Sequence, residues 1–592
     1  MTPADVLVSV ILAIVVIAVG TAVAPKLKIA GPLLLVIVGI VVGLLPVVPP
    51  FEVEPELILV GVLPPLLFSA AVALPAVEFR RDFGPIAGLS VILVILSSLV
   101  LGVFFVAVIP DINPYSAVAL GAILSPTDAV ATSIVKRLGI SRRVVTLLEG
   151  ESLLNDATAL VLLRTMVAAA AVALGSSAGE RDDVGFLPAF LWGVVVAVVI
   201  GAIVGYLNLR LRALMSHSAA NTAVGFIVPF VAYLPTERLG GSGLVAAVVA
   251  GIVTGQGAAR WFSPEQRLSD SLNWRTVELV LEGGVFLLMG LELKEIVGQN
   301  IEAHDGLGTG ILIAIGALAI ILIVRSIYVA LLVWLQSRRA RTKQRKRLEA
   351  MGKQLDDMAS GKSPPPSRGP GRGGREASVE SPRWERRLAA GRARVTRALS
   401  DLDYYQASPL GWKHGAVIVW AGMRGVVTLA AAQTLPRNTT ERALLVFIAF
   451  AVAVGSLLLQ GYTLRWVVRL LRLENSSTDL MDQAEQTSLN EELRDAAATA
   501  LTDSKLVRRD GSPFSSEFLD RVGNRFLSPP DDEQTAIAHE VLELRLAVIE
   551  VMRTRLNEVS SGGQFSTAAL RHALAELDAD QLSLQLRLDD ES

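Results

Sequence analysis

The sequence predicts an all-α polytopic membrane protein. The 592-residue chain is 52% hydrophobic and only 19% charged, with a mean hydropathy of +0.52, whereas soluble domains carry about 25% charged residues. Apolar stretches of about 18 or more residues, enough for a helix to cross a bilayer, recur along the chain. The loops between them alternate in lysine and arginine content, which is typical of a chain that crosses a membrane repeatedly.

About thirteen apolar stretches are predicted to be membrane-spanning helices. They lie at residues 5–24, 30–48, 57–75, 85–109, 114–135, 146–174, 186–208, 219–235, 242–256, 274–293, 309–336, 414–435 and 443–470. The stretches 219–235 and 242–256 are the weakest, and we expect them to be short or broken. Residues 5–24 are interpreted as a retained first span, because no basic cluster precedes them and no clear cleavage site follows.

Basic residues predict the orientation of the chain. One alternate set of loops contains pairs such as Lys26 with Lys28 and Arg80 with Arg81, and ends in a dense basic run at 338–347. The other set is sparse in lysine and arginine. Because cytoplasmic loops are enriched in these residues, we expect the N-terminus outside, the C-terminal tail inside, and the protein in the cell (plasma) membrane.

Four regions follow from this pattern. Residues 1–336 hold spans 1–11, and residues 414–472 hold spans 12 and 13. Between them, residues 337–413 form a predicted cytoplasmic insertion. It is basic at its start and rich in proline, glycine and serine in its middle, where we expect disorder. The basic ends either rest on anionic lipid headgroups or form an ordinary positively charged loop.

The fourth region, residues 473–592, is predicted to be a cytoplasmic helical tail with a regulatory or dimer-supporting role. Apolar residues recur there at helical spacing. They are Ile537, Val541, Leu544, Val548 and Val551. The chain has no cysteine, which excludes disulfides, thiolate metal sites and Cys nucleophiles, and no motif supplies a nucleophile and base pair. We therefore expect no enzyme activity, no cofactor and no nucleic-acid partner.

Span 6 carries most of the functional argument. Glu151, Asn155 and Asp156 lie within its apolar stretch, and Ser152 is one helical turn before Asp156. Ionisable groups at membrane depth are rare and usually mark an ion or proton path. A carboxylate beside a carboxamide offers oxygen ligands for a small hard cation, and the carboxylate accepts a proton instead. The alternative is a neutralised structural network between helices.

Spans 5 and 12 are both interrupted. Span 5 contains Ser-Pro-Thr-Asp at 125–128, and span 12 contains Gly-Met-Arg-Gly at 422–425. Pro126 removes a backbone donor and disfavours helix at the residue before it. Interrupted helices at corresponding positions of two halves are typical of inverted-repeat transporters. We therefore predict two inverted repeats, spans 1–6 and 8–13, with crossed helices 5 and 12.

Two arginines within the spans require acidic partners. Arg325 in span 11 and Arg424 in span 12 are expected to hold Glu151 and Asp128 ionised. Asp156 would then be the carboxylate that is free to exchange its proton. This division of charged groups suits a carrier.

These motifs resemble those of the monovalent cation:proton antiporters, in the sodium/proton exchanger branch that has an Asn-Asp pair. The resemblance rests on Glu-Ser-Leu-Leu-Asn-Asp at 151–156, Pro-Thr-Asp at 126–128, Arg325 and Gly-Met-Arg-Gly, and covers about 1–336 and 414–470. It implies that Asp156 binds Na⁺ or H⁺ with Asn155, Ser152 and Thr127 nearby. It also implies a structural Glu151–Arg325 ion pair, neutralisation of the crossing helices by Asp128 and Arg424, a homodimer, an elevator-like core and electroneutral exchange.

Several polar residues depart from this pattern or stand outside it. The resemblance implies an acid at the position where this chain has Ser69, and this chain lacks that acid. Glu278 and Glu282 in span 10 line a cytoplasmic funnel or form an interfacial ladder. Arg164 is expected to extend outward along span 6.

The predicted function is exchange of Na⁺, or Li⁺ or K⁺, for H⁺ by competition at Asp156. Each movement of the core would carry a cation or a proton, because an uncompensated carboxylate is costly in a low dielectric. Alternatives are a K⁺-selective antiporter, or a cation channel or transporter-derived sensor. The sequence does not decide between Na⁺, K⁺ and Li⁺, because selectivity depends on small differences in cavity dimensions.

Overall fold

The computed structural model divides into two compact units, residues 1–476 and 477–592. It describes residues 3–46, 54–173, 186–302, 307–339 and 409–473, except 28, 216 and 438, and scattered positions within 349–405 and 542–585. Over these ranges the chain is helical and contains no strand. The proline- and glycine-rich middle of the insertion and most of the tail lie outside the described residues.

The first eight helices include one broken pair. They are α1 Pro3–Val23, α2 Gly31–Gly43, α3 Leu57–Ala73, α4 Ala76–Arg81, α5 Phe83–Val108, α6 Pro114–Leu124, α7 Val130–Arg137 and α8 Arg142–Ala173. α3 begins with a π-helical segment, Leu57–Val62, and α5 contains another, Gly88–Ile92. The predicted span 5 is therefore two short helices, α6 and α7, as its proline predicts.

The remaining helices of the first unit include a second broken pair. They are α9 Phe186–Ala213, α10 Ser218–Arg238, α11 Gly243–Trp261, α12 Pro264–Leu291, α13 Leu293–Glu302, α14 Leu307–Arg339, α15 Trp412–Trp420, α16 Val426–Gln433 and α17 Arg442–Leu470. The predicted span 12 is the pair α15 and α16.

Each of the thirteen predicted stretches coincides with one helix or with two helical segments. Among the described residues, six helices are both long and apolar enough to cross a membrane: α5, α8, α9, α10, α14 and α17. The protein is thus an integral membrane protein with an all-helical fold, while the total of thirteen crossings stays a prediction. A helix suits this environment because it satisfies its own backbone hydrogen bonds in lipid.

One prediction about the spans is wrong. α10 is continuous through Pro229 and Pro235, although the sequence predicted a short or broken span there. Proline is tolerated in membrane helices where the backbone groups that it frees are satisfied by other means. The apolar part of α11, Gly243–Ala258, is short, as predicted.

The helices of the first unit pack in two groups. In one group, α2 packs on α12, and α11 packs on both α3 and α9. In the other, α6 packs on α5 and α8, and α17 packs on α14 and α16. The groups meet where α8 contacts α3 and α11, and where α12 contacts α16. Both broken helices belong to the second group, so this group contains the crossing.

Small residues allow helices of the first group to approach closely. Gly201 and Gly205 of α9 face Ala246 and Ala250 of α11, and a Cβ at Gly201 would lie 2.5 Å from the Ala246 carbonyl oxygen. Small residues four apart are typical of contacts between helices in membranes. Elsewhere, α1, α9 and α14 expose many large apolar side chains, as a surface against lipid requires.

The second unit has a small apolar cluster of its own. Ile549, Leu577 and Leu584 are buried together, and Leu542 and Leu546 pack against them. Val548, which belongs to the predicted apolar stripe, is 48% exposed. The packed face is therefore offset from the predicted one, and the other four residues of that stripe lie outside the described part of the tail.

Candidate functional site

Two broken helices cross and bring their interruptions into contact. The gap between α6 and α7 covers residues 125–129, and the gap between α15 and α16 covers residues 421–425. The N–H of Asp128 donates to the carbonyl oxygen of Met423 at 2.7 Å. The extended chain at each break is therefore stabilised by the other, which satisfies backbone groups that would be costly to leave unpaired in a membrane.

The carboxylate of Asp128 lies at the N-termini of two helices. Its Oδ1 accepts a hydrogen bond from the N–H of Val130, the first residue of α7, at 2.9 Å. The same carboxylate also lies against Gly425, the residue just before α16, so it faces the N-terminus of that helix as well. Helix N-termini carry partial positive charge and unpaired N–H groups. One negative charge therefore compensates both half-helices that begin at the crossing.

Arg424 lies at the C-terminal ends of the other two half-helices, α6 and α15. Its Nε donates to the carbonyl oxygen of Leu124, at the end of α6, at 3.0 Å, and its Nη1 donates to the carbonyl of Gly422, just after α15. Its backbone N–H donates to Ser456 Oγ at 2.9 Å. The sequence predicted that Arg424 would hold Asp128 ionised, but the two side chains form no ion pair. Each charge instead meets helix ends of opposite partial charge.

Two glycines make room for this arrangement. A Cβ at Gly425 would lie 1.4 Å from Asp128 Oδ2, and a Cβ at Gly422 would lie 2.5 Å from Arg325 Nε. The Gly-Met-Arg-Gly motif thus admits an acidic side chain on one side of Arg424 and a basic one on the other. Both positions are glycine because a Cβ there would collide with these side chains.

Glu151 and Arg325 form a buried ion pair between α8 and α14. Arg325 Nη2 donates to Glu151 Oε2 at 2.9 Å, and Nη1 donates to Oε1. The same guanidinium donates from Nε to the carbonyl oxygen of Ile418 at 3.1 Å, near the end of α15. Ser90, in the π-helical segment of α5, donates its hydroxyl to the carbonyl of Glu151 at 3.2 Å. The pair therefore joins α8, α14 and α15.

Thr127 connects Asn155 to this pair. The Thr127 hydroxyl donates to Glu151 Oε1 at 3.2 Å, and Asn155 Nδ2 donates to the same hydroxyl at 2.7 Å. Because the hydroxyl proton points to a carboxylate, the hydroxyl accepts from the amide, which fixes the amide orientation. Asn155 Oδ1 is then a buried acceptor without a hydrogen-bond partner. Buried polar atoms of this kind are uncommon and require an explanation.

Asp156 lies beside Asn155 on α8 and is only 6% exposed. Within the described chain its carboxylate makes neither a hydrogen bond nor an ion pair. Ser152, one turn earlier, is also buried, but no hydrogen bond joins its hydroxyl to Asp156 there. Asp128, which is also negative, is near enough to interact with Asp156 electrostatically. Asp156 is therefore a buried acid whose charge no basic group compensates.

Sequence reasoning missed one buried ion pair. Arg143, at the start of α8, binds Asp82, which is fully buried between α4 and α5. A lone aspartate after two arginines, at positions 80–82, was the available signal.

Two other contacts add to the predictions made for individual residues. Arg164 is 54% exposed, and its Nη1 also donates to Glu237 of α10 at 2.5 Å. Glu278 of α12 accepts from the hydroxyl of Ser69 at 2.6 Å. A carboxylate from α12 therefore lies beside Ser69, the α3 position at which the family resemblance implies an acid. Neither contact was predictable without knowing which helices are neighbours.

A helical membrane protein in which two broken helices cross beside a buried, unpaired carboxylate has the features of a secondary transporter. The chain belongs to the family described as "Sodium/hydrogen exchanger, transmembrane", whose model matches residues 11–351 and 390–470. The protein is thus a member of the monovalent cation:proton antiporter superfamily. It is an ion transporter and not an enzyme.

Comparisons with individual proteins agree with this family. An uncharacterized Na⁺/H⁺ exchanger of Mycobacterium tuberculosis is 24% identical over 98% of this chain and 96% of its own length. The low-affinity Na⁺/H⁺ antiporter NhaS1 of Synechocystis is 27% identical over 79% of this chain and 74% of its own. The structure of the sodium proton antiporter MjNhaP1 of Methanocaldococcus jannaschii covers 80% of this chain and all of its own, with 18% identity and a TM-score of 0.56. The last likeness shows a shared fold.

Proposed function

We propose that the protein exchanges Na⁺ for H⁺ by competition at the carboxylate of Asp156. The most direct support is that the other buried charges at the crossing all have partners of opposite charge or polarity. Glu151 is paired with Arg325, Asp128 with two helix N-termini, and Arg424 with backbone carbonyls. Among these five acidic and basic positions of the motifs, Asp156 alone has no such partner, so it is the group that can accept an exchangeable positive charge.

The neighbouring oxygens support a cation as one of the two ligands. Asn155 Oδ1 is an unused acceptor on the residue before Asp156, and Ser152 offers a hydroxyl one turn earlier. The Thr127 carbonyl lies in a non-helical stretch between α6 and α7. Carboxylate, amide, hydroxyl and carbonyl oxygens are the ligands that hard cations prefer. In this proposal Asp156, Ser152 and Thr127 bind dehydrated Na⁺, and Asn155 contributes its oxygen.

Competition makes the exchange electroneutral. When Asp156 is ionised it binds Na⁺, and when it is protonated it is neutral without a cation, so the occupied site carries the same net charge in both forms. An empty, ionised Asp156 would be an uncompensated charge in a low dielectric beside Asp128, which is costly. The core would therefore move only when a cation or a proton is bound, and this couples the two fluxes.

The arrangement in the membrane follows from the same proposal. The two broken helices favour inverted repeats of spans 1–6 and 8–13 around the crossing, with thirteen crossings in all. The basic loops favour an external N-terminus and a cytoplasmic tail in the plasma membrane. The group that contains α5–α8 and α14–α17 would move as an elevator-like core, against the other helices of a homodimer.

Transport in proteoliposomes tests the proposal. Full-length protein is reconstituted with a pH-sensitive dye inside, and proton movement is recorded after addition of Na⁺ outside. Wild-type protein is expected to exchange, and Asp156→Asn is expected to give no signal above that of empty liposomes. Asp111→Asn is the matched control, because Asp111 is exposed in a turn with φ of 54°, a conformation that asparagine tolerates. Full exchange by Asp156→Asn would contradict the assignment.

The same vesicles decide between Na⁺ and the other cations. Separate additions of Li⁺, K⁺ and choline measure selectivity, and a K⁺ response above the Na⁺ response would make the protein a K⁺/H⁺ antiporter. Exchange that is unaffected by valinomycin-clamped potentials supports electroneutrality. A current in planar bilayers that reverses with the Na⁺ gradient would instead favour a channel.

A further inference from the structure

Near its C-terminal end, the insertion contacts a buried ion pair at the start of α8, the helix that carries Asp156. Arg143 is 3% exposed and Asp82 is fully buried. Arg143 Nε lies 3.0 Å from Asp82 Oδ2, and its Nη2 lies 2.9 Å from Oδ1. The same Nη2 donates to Gln336 Oε1, near the end of α14, at 2.8 Å. One guanidinium therefore joins α8, α14 and the link between α4 and α5.

Two tyrosines of the insertion cover this pair. The hydroxyl of Tyr404 donates to Asp82 Oδ2 at 3.1 Å, and that of Tyr405 donates to the carbonyl of Arg81 at 2.6 Å. The Arg143 guanidinium lies 4.7 Å from the Tyr405 ring centroid and 5.7 Å from that of Tyr404, distances typical of cation–π contacts. The pair is thus closed from the insertion side by two aromatic rings and one hydroxyl donor.

We propose that Tyr404 and Tyr405 are positioning residues for transport, which hold the ends of α8 and α14 together through the Arg143–Asp82 pair. This inference rests on the proposed function in one respect, namely that α8 carries the exchanging carboxylate. It assigns a role to the insertion that follows span 11: its two tyrosines, at positions 404 and 405, stabilise the register between the helices that carry Asp156 and Arg325.

The contacts explain why the hydroxyls matter as well as the rings. A buried carboxylate requires several donors, and Tyr404 supplies one to Asp82 in addition to Arg143. Burial beside Asp82 raises the pKa of Tyr404 above its ordinary value, so this hydroxyl keeps its proton and remains a donor at physiological pH. Without the two hydroxyls, α8 and α14 would keep the ion pair but lose two of the bonds that order its surroundings.

The test uses the full-length protein with Tyr404→Phe/Tyr405→Phe, which keeps both rings and removes both hydroxyls. Tyr404→Ala/Tyr405→Ala removes the rings as well. Tyr206→Phe is the matched control, because Tyr206 accepts a hydrogen bond from Arg210 at 2.9 Å and contacts its guanidinium on α9, away from α8. Two quantities are measured: amide hydrogen exchange over the first turns of α8 and the last turns of α14, and Na⁺-driven proton flux per folded protein.

In the double phenylalanine variant, we expect faster hydrogen exchange at both helix ends and turnover about five- to tenfold lower, with the KM for Na⁺ changed less than about twofold, because two hydrogen bonds are lost far from the cation. The alanine variant should show larger effects of the same kind, and Tyr206→Phe neither. A loss of folded protein alone, with normal turnover and normal exchange in what remains, would overturn the proposal. If wild-type protein did not transport cations against protons, the proposed function would be wrong. The amide hydrogen-exchange comparison would still decide whether the tyrosines order α8.

Discussion

Gly425 lies against the carboxylate of Asp128 so closely that a Cβ at position 425 would fall 1.4 Å from Asp128 Oδ2. The carboxylate reaches the N-terminus of α16 only because this position has no side chain. The backbone of one broken helix and an acidic side chain of the other thus occupy a space that two ordinary residues could not share.

Gly425→Ala should therefore disrupt the crossing. The added methyl must displace the Asp128 carboxylate, which accepts from the N–H of Val130. We expect a destabilisation of at least about 1–3 kcal/mol, the range typical of overpacking in a core, and loss of exchange. Thermal unfolding in detergent and proteoliposome flux measure the two effects. Gly455→Ala on α17 is the control, since a Cβ there would meet no atom within 4 Å. Equal stability of the two variants would contradict this explanation of Gly425.

Glu151 and Arg325 should stabilise the protein only when both are present. Both side chains are buried, with 1% and 3% exposure, and removal of one partner leaves an uncompensated charge that costs about 3–5 kcal/mol. We expect Arg325→Met and Glu151→Gln each to lower the unfolding temperature strongly, and the double variant to recover at least half of the larger loss. A double variant as unstable as the sum of the single variants would show that the two side chains act independently.

The sequence was sufficient for the long helices of this fold, because membrane helices are encoded locally. Runs of apolar residues predict these helices by length, and Pro126 and the Gly-Met-Arg-Gly motif predict the two breaks. The short helices α4 and α13 and the continuity of α10 were not predicted. The buried pair of Glu151 and Arg325 was also predictable, since two opposite charges at membrane depth require partners.

The partners of Arg424 and Arg164 were not predictable in the same way. Sequence reasoning pairs charges with charges, whereas Arg424 meets carbonyl groups that become available only because α6 and α15 end beside it. Arg164 meets Glu237 because α8 and α10 are neighbours at that level. Both contacts depend on which helix ends and faces are adjacent in three dimensions, and the periodicity of one chain segment does not contain that information.

Thr127 and Asn155 should act as a unit in cation binding. Thr127→Val removes the hydroxyl that accepts from Asn155 Nδ2, and Asn155→Ala removes the unpaired Oδ1 itself. Each change should raise the KM for Na⁺ by about fivefold to tenfold, which corresponds to one hydrogen bond or ligand contact. Because the hydroxyl acts by orienting the amide, the double variant should have a KM close to that of Asn155→Ala alone. Multiplicative effects of the two changes on KM would mean that the Thr127 hydroxyl contacts the cation itself and does not act by orienting Asn155.

The Arg164–Glu237 pair should influence turnover more than stability. It joins α8, which carries Asp156, to α10, but its side chains are 54% and 23% exposed, so its contribution to stability is at most about 1 kcal/mol. If α8 moves relative to α10 during exchange, the pair must break in each cycle. Glu237→Gln keeps an oxygen that accepts from the N–H of Gly243, as Glu237 does at 2.9 Å, while removing the charge. We expect exchange by this variant to be faster by up to about fivefold at low salt, the upper limit set by such a pair.

High salt provides the check on this prediction. Surface ion pairs are screened as ionic strength rises, so the rate of the wild-type protein should approach that of Glu237→Gln as choline chloride is added at fixed Na⁺. Glu295→Gln on α13 is the control, because Glu295 accepts a hydrogen bond from Gln299 within its own helix, and that variant should match the wild type at every salt concentration. A ratio of variant to wild-type rates that does not change with ionic strength would show that the pair is not broken during transport, and that α8 and α10 move together.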